Sequence, residues 1–303
     1  MHYICDMQKT IALLKQSLTS LYDSRETNAI ISLLLEEVCG ITRVDRIVNP
    51  DLMIDEEKSK IFEQYAVRLK QGEPVQYVLG YEYFMGEKFM VNPDVLIPRP
   101  ETTELINWVV DNSVENPVDN CGKQSAQPSL KLLDIGTGSG CIALSLARLI
   151  NNSTVVAFDL STGALKTAKE NAKLQNINNV TFVKKDILAE QNSTYEQGNV
   201  DKFDVIVSNP PYVMNKEKMG MDKNVLNHEP HLALFVPDDD PLLFYRAIAN
   251  YGKLNLKEGG KLYFEINSAL GKETCELLSS SGYHDIELRQ DMFGKDRMIC
   301  AII

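Results

Sequence analysis

The sequence has no excess of positive charge, no closely spaced cysteine pair, no long apolar run and only one tryptophan. Lys and Arg number 31 against 42 Asp and Glu, a net charge of −11. A chain this acidic does not draw its affinity from indiscriminate phosphate contacts, which need a basic face. It suits a small-molecule substrate, or a protein partner that brings its own positive charge. The six cysteines, Cys5, Cys39, Cys121, Cys141, Cys275 and Cys300, include no C-x-x-C pair, and no two histidines stand at metal spacing. No metal site is therefore expected. The opening residues MHYICDMQKT lack a basic stretch followed by an apolar run, so no secretory signal is expected. The longest apolar run, Ile30 to Leu35, is broken by Ser32 and far too short to span a bilayer. These absences describe a reduced, cytoplasmic, soluble protein with free thiols and no membrane partner.

What is present divides into three stretches. A chain of 303 residues exceeds what one hydrophobic core usually serves. Residues 1–74 carry apolar side chains at helical spacing: Ile11, Leu14, Leu18 and Leu21, then Ile30, Ile31, Leu34, Leu35 and Val38. Gly40 is placed to stop the second helix, and Asp55 to cap a third that Gly72 and Pro74 end. Residues 75–100 form a connector. Val75–Val91 is aromatic and β-branched with glycines at turn spacing, which predicts a hairpin. Each proline in Ile97-Pro98-Arg99-Pro100 keeps its predecessor extended.

From residue 101 to 303 strands and helices alternate. A helix is expected over Thr102–Val110 and a polar surface loop over Asp111–Ser129. Strands follow at Leu130–Asp134, Thr154–Asp159, Val180–Lys184, Phe203–Ser208 and Lys261–Ile266. Helices are expected at Cys141–Ile150, Gly163–Leu174, from Asp240-Pro241 to Leu254, and at Lys272–Ser279. Such alternation predicts an α/β fold with a mostly parallel sheet covered on both faces. The last two strands, near Ile286–Arg289 and Met298–Ile302, have no helix between them, so they pair as a hairpin and insert one antiparallel strand.

Two motifs carry the chemistry. Asp134-Ile135-Gly136-Thr137-Gly138-Ser139-Gly140 joins a buried strand to a helix start. Its glycines let a ligand approach the backbone, and the helix N-terminus offers N–H donors. A dinucleotide fingerprint needs glycine where Cys141 stands, so a nicotinamide oxidoreductase is excluded. G-x-G-x-G after an acid instead resembles motif I of S-adenosylmethionine-dependent methyltransferases. Asp159, ending the next strand, can accept two ribose hydroxyls, and Ser161 is better placed than it to cap the following helix. Asp186 ends the strand after that. It either lies near an adenine or caps a helix.

The second motif is Asn209-Pro210-Pro211-Tyr212, entered directly from an apolar strand. The prolines remove two backbone donors and stiffen the chain. Carbonyl acceptors beside an aromatic ring suit a planar NH₂ group, whose two N–H bonds need two acceptors. This motif resembles that of methyltransferases acting on amide or exocyclic amino nitrogens. Leu96-Ile97-Pro98-Arg99-Pro100-Glu101-Thr102, Pro74–Gly80, Glu229-Pro230 with Ala233-Leu234, and Gly294-Lys295-Asp296-Arg297 together resemble the glutamine-N5 methyltransferases of peptide chain release factors. The likeness covers nearly the whole chain. Thr103 and Ile187 depart from it, standing where many members carry an acid and an aromatic.

That resemblance implies a Rossmann-like class I methyltransferase sheet behind a small all-α domain and a β-hairpin linker. It implies transfer of a methyl group from S-adenosylmethionine, leaving S-adenosylhomocysteine, to the glutamine of the Gly-Gly-Gln motif in class 1 release factors. The activity would tune translation termination. Asn209, Pro210, Pro211 and Tyr212 would be catalytic and, with Arg99, hold the substrate. Gly136, Thr137, Gly138, Ser139, Gly140, Asp159, Asp186, Ile187 and Asn209 would bind the cofactor. The helical segment would grip the protein substrate, and His228 and His231 would be polar loop residues rather than bases. Glu265-Ile266-Asn267 receives no role. The rival reading is an amino methyltransferase acting on DNA or RNA, which the net charge opposes. A non-catalytic cofactor sensor would need no acceptor array.

Overall fold

A computed structural model describes residues 4–113, 129–194 and 202–303. The loop expected over Asp111–Ser129 lies almost wholly outside the described residues, its first three ending a helix. The chain divides into two compact units: residues up to Leu79 with Asp222–His228, and Gly80–Met221 with Glu229–Ile303. The connector expected over 75–100 is thus split between them.

In the first unit the three expected helices are Met7–Leu18, Ser24–Cys39 and Glu56–Lys70. Their apolar stripes bury Leu14, Leu18, Ile30, Leu34, Leu35, Phe62 and Leu69 in one cluster. Gly40 ends the second helix in the left-handed region at φ +69°, its N–H donating to the Glu36 carbonyl at 2.9 Å. The Asp55 carboxylate accepts the Lys58 N–H at 2.8 Å. A short helix at Arg43–Val48, opened by a Thr42/Asp45 capping box, adds to these.

Val75–Leu79 is a helix, where the aromatic and β-branched texture predicted a strand. The Pro74 carbonyl accepts N–H bonds from Tyr77 and Val78 at 3.0 and 3.1 Å. The Arg68 guanidinium then takes the Tyr77 and Val78 carbonyls at 2.8 and 3.0 Å. A cation on the orphan carbonyls of so short a helix overrides local propensity. The excursion Asp222–His228 also belongs to this unit, and His228 Nε2 lies 3.1 Å from the Gln71 carbonyl.

The main sheet of the second unit has seven strands: Leu130–Ile135 (β1), Ser153–Asp159 (β2), Val180–Lys184 (β3), Phe203–Ser208 (β4), Leu256–Glu265 (β5), His284–Gln290 (β6) and Asp296–Ile302 (β7). Their order is β6-β7-β5-β4-β1-β2-β3. β7 runs against both its neighbours and all other pairings are parallel, so a single strand opposes the rest, as the final hairpin predicted. The period of two divides the core. Leu132, Val155, Val205 and Tyr263 pack with helices Pro100–Ser113 and Cys141–Leu149. Leu133, Phe158, Ile206 and Phe264 pack with helices Leu243–Asn255 and Gly271–Ser280.

The expected hairpin starts only at Tyr81 and pairs Tyr81–Phe84 with Glu87–Met90. Asn171 pins it to the sheet unit, accepting the Met90 N–H at 2.7 Å and donating to the carbonyls of Met90 and Ser139 at 3.0 and 2.9 Å. The helix expected to open at Asp240-Pro241 begins at Leu243, whose N–H donates to the Asp240 carbonyl at 3.3 Å, and Arg246 engages the Asp240 carboxylate at 2.8 and 2.9 Å. Parallel strands end along one edge, which delivers Ile135, Asp159, Lys184, Ser208 and Glu265 to the same side of the sheet.

Candidate active site

A cleft opens at that edge. Arg99, Gly136, Thr137, Gly138, Ser139, Asp159, Asp186, Ile187, Asn209, Pro210 and Pro211 all line it. Two residues expected at the site do not, Gly140 and Tyr212.

The glycine turn forms the first wall. Gly136, Gly138 and Gly140 have φ of +78°, +54° and +84°, a region side chains with a Cβ rarely enter. A Cβ on Gly138 would meet no protein atom within 4 Å, so the space above it is open to a ligand. Gly140 serves packing instead, since a Cβ there would lie 3.2 Å from Ala168. The Thr137 hydroxyl donates to Asp134 at 2.7 Å, which leaves this residue's backbone to face the cleft. Asp134 is fully buried, and burial pushes its carboxyl pKa up to about 7 against the Thr137 and Ala143 hydrogen bonds. The sequence marked it only as the acid before the glycines; it is the anchor that ties the turn to β1.

Asp159 accepts the Gly138 N–H at 2.9 Å on one oxygen and the Ser161 N–H at 2.8 Å on the other. Burial raises its pKa, and the N–H bonds of Gly138, Ser161 and Leu160 oppose that rise. Ser161 caps the next helix, accepting the Ala164 N–H at 3.1 Å, as its position suggested. Each Asp159 oxygen keeps further acceptor capacity. Asp186 does cap a helix, accepting the Leu188 N–H at 2.9 Å, while also lining the cleft. Phe158, Leu160, Ile187 and Phe244 make the wall apolar there.

Asn209 and Pro210 form a second wall. The Asn209 side-chain N–H donates to Thr102 Oγ1 at 3.3 Å. Thr102 donates to Glu265 Oε2 at 2.7 Å, and the Tyr212 hydroxyl to Glu265 Oε1 at 3.2 Å. Tyr212 therefore turns its hydroxyl toward the end of β5, and its ring packs against the apolar cluster on the Leu243–Asn255 side. Asn267 holds the Tyr212 carbonyl at 3.1 Å. Thr102, Glu265 and Asn267 were missed from the sequence. The signal available for Glu265 was an acid ending an apolar strand at the ligand edge of a parallel sheet.

Arg99 is paired with Glu229, which is 3% exposed, at 2.6 Å. Glu229 also accepts the Ile97 N–H at 3.2 Å, so the ion pair braces residues 97–99 against the Pro230 side of the cleft. His231 meets the Phe235 ring edge-on at 5.1 Å.

Residues 126–289 match a family described as a methyltransferase domain, and residues 10–80 one described as the PrmC N-terminal domain. The chain is 46% identical to the release factor glutamine methyltransferase of Flavobacterium psychrophilum, over 94% of either chain. It is 42% identical to the protein of that name from Bacteroides thetaiotaomicron, over 97% of this chain and 99% of that one. Among solved structures, a human methyltransferase 10 domain containing protein aligns with a TM-score of 0.50 at 17% identity, over 72% of this chain and 88% of that one. That likeness is one of fold.

Proposed function

Since the chain belongs to the release factor glutamine methyltransferase family, we propose that it methylates the N5 amide nitrogen of the glutamine in the Gly-Gly-Gln motif of class 1 peptide chain release factors. The observation that carries this reading is the pairing, across one cleft, of an open glycine turn beside Asp159 with carbonyl acceptors at Asn209 and Pro210.

The residues fit the donor. The backbone of Gly136–Ser139 leaves room for a close approach, Asp159 has acceptor capacity for ribose hydroxyls, and the apolar wall around Ile187 suits a purine ring. When bound, S-adenosylmethionine supplies an electrophilic methyl group on its sulfonium and leaves as S-adenosylhomocysteine. The protein's task lies on the other side. An amide nitrogen is a poor nucleophile because its lone pair is delocalised into the carbonyl. Asn209 Oδ1 and the Pro210 carbonyl accept its two N–H bonds, hold it in place and stabilise the positive charge that develops on it. No base has to act first, because the proton can pass to water after transfer. Pro211 stiffens the array, and Arg99, braced by Glu229, shapes the substrate side.

The helical unit, with its own core, is the substrate-recognition domain in this reading. The partner is a protein, with neither nucleic acid nor membrane involved, and the site of action is the cytoplasm. No described helix is long and apolar enough to cross a membrane.

Incubation with labelled S-adenosylmethionine and a purified release factor, followed by peptide mapping, should place the label on the Gly-Gly-Gln glutamine. Asn209→Ala should slow transfer roughly ten- to 150-fold, the loss of one charge-assisted bond of about 1.5–3 kcal/mol. Transfer at the parent rate would remove Asn209 from the chemistry.

A further inference from the structure

We infer that Thr102 and Glu265 are positioning residues that decide which end of the Asn209 amide faces the cleft, and thereby select an N–H-bearing acceptor. The inference rests on the reading of Asn209 given above and adds two residues that act through its side chain: Thr102, at the cleft wall, and Glu265 behind it.

An asparagine amide is nearly symmetric in shape but opposite in chemistry at its two ends. With Oδ1 toward the cleft it accepts a substrate N–H. With Nδ2 toward the cleft it sets one donor against another. Shape alone does not choose between them, so a neighbour of fixed hydrogen-bond polarity must.

Glu265 supplies that polarity. It is 1% exposed at the end of β5, and its two oxygens receive two hydroxyls, Thr102 at 2.7 Å and Tyr212 at 3.2 Å. A carboxylate accepts only, so each hydroxyl must spend its one proton on it. Thr102 Oγ1 is then left as an acceptor, and the group it faces at 3.3 Å has to be a donor. This turns Nδ2 of Asn209 inward and leaves Oδ1 for the cleft. Burial, with the charge of Glu101, pushes the Glu265 pKa up, and the Thr102 hydroxyl, the charge of Arg297 and the Tyr212 hydroxyl oppose that rise. Arg297 is itself held by Asp291 at 3.1 Å and by the Ile266 carbonyl at 3.4 Å. Protonated, Glu265 would offer a donor of its own and release the constraint on both hydroxyls.

Single-turnover methyl transfer to a purified release factor, at saturating S-adenosylmethionine, tests this. Thr102→Val keeps the shape and removes the hydroxyl; it should lose at least about tenfold in rate while calorimetry shows cofactor affinity unchanged. Thr102→Ser restores the hydroxyl and should recover most of that loss. Because Thr102 acts through Asn209, Thr102→Val added to Asn209→Ala should slow transfer no further than Asn209→Ala alone. Parent-rate transfer in Thr102→Val, or losses that multiply in the double variant, would overturn the proposal. If Thr102→Val no longer binds the cofactor, Glu265→Gln takes its place: it offers one acceptor oxygen to two hydroxyls and should slow transfer by a similar factor, and parent-rate transfer there overturns the proposal equally. A slow Asn209→Ala beside an unimpaired Thr102→Val rejects this inference alone. An unimpaired Asn209→Ala rejects the reading beneath it.

Discussion

On the β1–β2 side of the cleft the geometry is set by neighbours in the chain. Gly136 and Gly138 bend the backbone themselves, Thr137 reaches Asp134 three residues back, and Asp159 closes the turn from the end of the next strand. On the β4–β5 side the acceptors also come from one short motif, but their orientation is imposed from afar. Thr102 lies 107 residues from Asn209 and 163 from Glu265, and Glu265 lies 53 from Tyr212. The first wall should fail when its own backbone is disturbed. The second should fail when a remote side chain is changed, with the motif itself intact.

The harshest break of the first wall is Gly138→Val. A β-branched residue is strained at φ +54°, and its side chain would project into the open space above the turn. Calorimetry should detect no S-adenosylmethionine binding, while circular dichroism shows the sheet still formed. Retained affinity with slowed transfer would mean that the two walls had been assigned the wrong way round.

A smaller effect is expected from Asp159→Ala. Loss of a charged acceptor should weaken cofactor binding by about 1.5–3 kcal/mol. The N–H groups of Gly138 and Ser161 also lose their partner, so the turn loosens with it. Titration calorimetry giving the parent affinity would detach Asp159 from the cofactor.

The mildest test sharpens the comparison through pH. Asp134 is buried with its pKa raised to about 7, so the folded chain binds this proton more tightly than the unfolded chain. Its contribution to stability is full below the ordinary carboxyl range and is lost as pH rises toward and through about 7. Asp134→Asn should therefore flatten the fall of Tm between about pH 4 and about pH 7. An unchanged slope in thermal melts would show that Asp134 is not the group titrating beneath the turn.

The misread elements share a cause. Val75–Leu79 has strand texture and is a helix because Arg68, seven residues before it, takes its terminal carbonyls. Asp240 stands just ahead of its helix, as expected, but also engages Arg246, a partner six residues on. Arg99 lines the cleft where it was expected, but its pairing with Glu229, 130 residues away, left no trace in the sequence. In each case a charged side chain chose a partner that no local pattern names. Gly140 was grouped with the ligand glycines by spacing, yet it meets Ala168, a residue of a helix that only the fold brings there.

The sequence by itself determined the alternating strands and helices, the single opposed strand, the left-handed glycine turn, the acid ending β2 and the proline-stiffened acceptor motif. It also carried the family likeness that the relatives bear out. These are properties of short stretches: periods of two or about 3.6, positive φ, missing N–H groups. Only the tertiary structure decided that Thr102 and Glu265 stand behind Asn209, that Glu229 holds Arg99, and that Tyr212 turns toward β5. A hydrogen bond to a buried carboxylate depends on where two distant segments meet in space, and on which of them holds the proton.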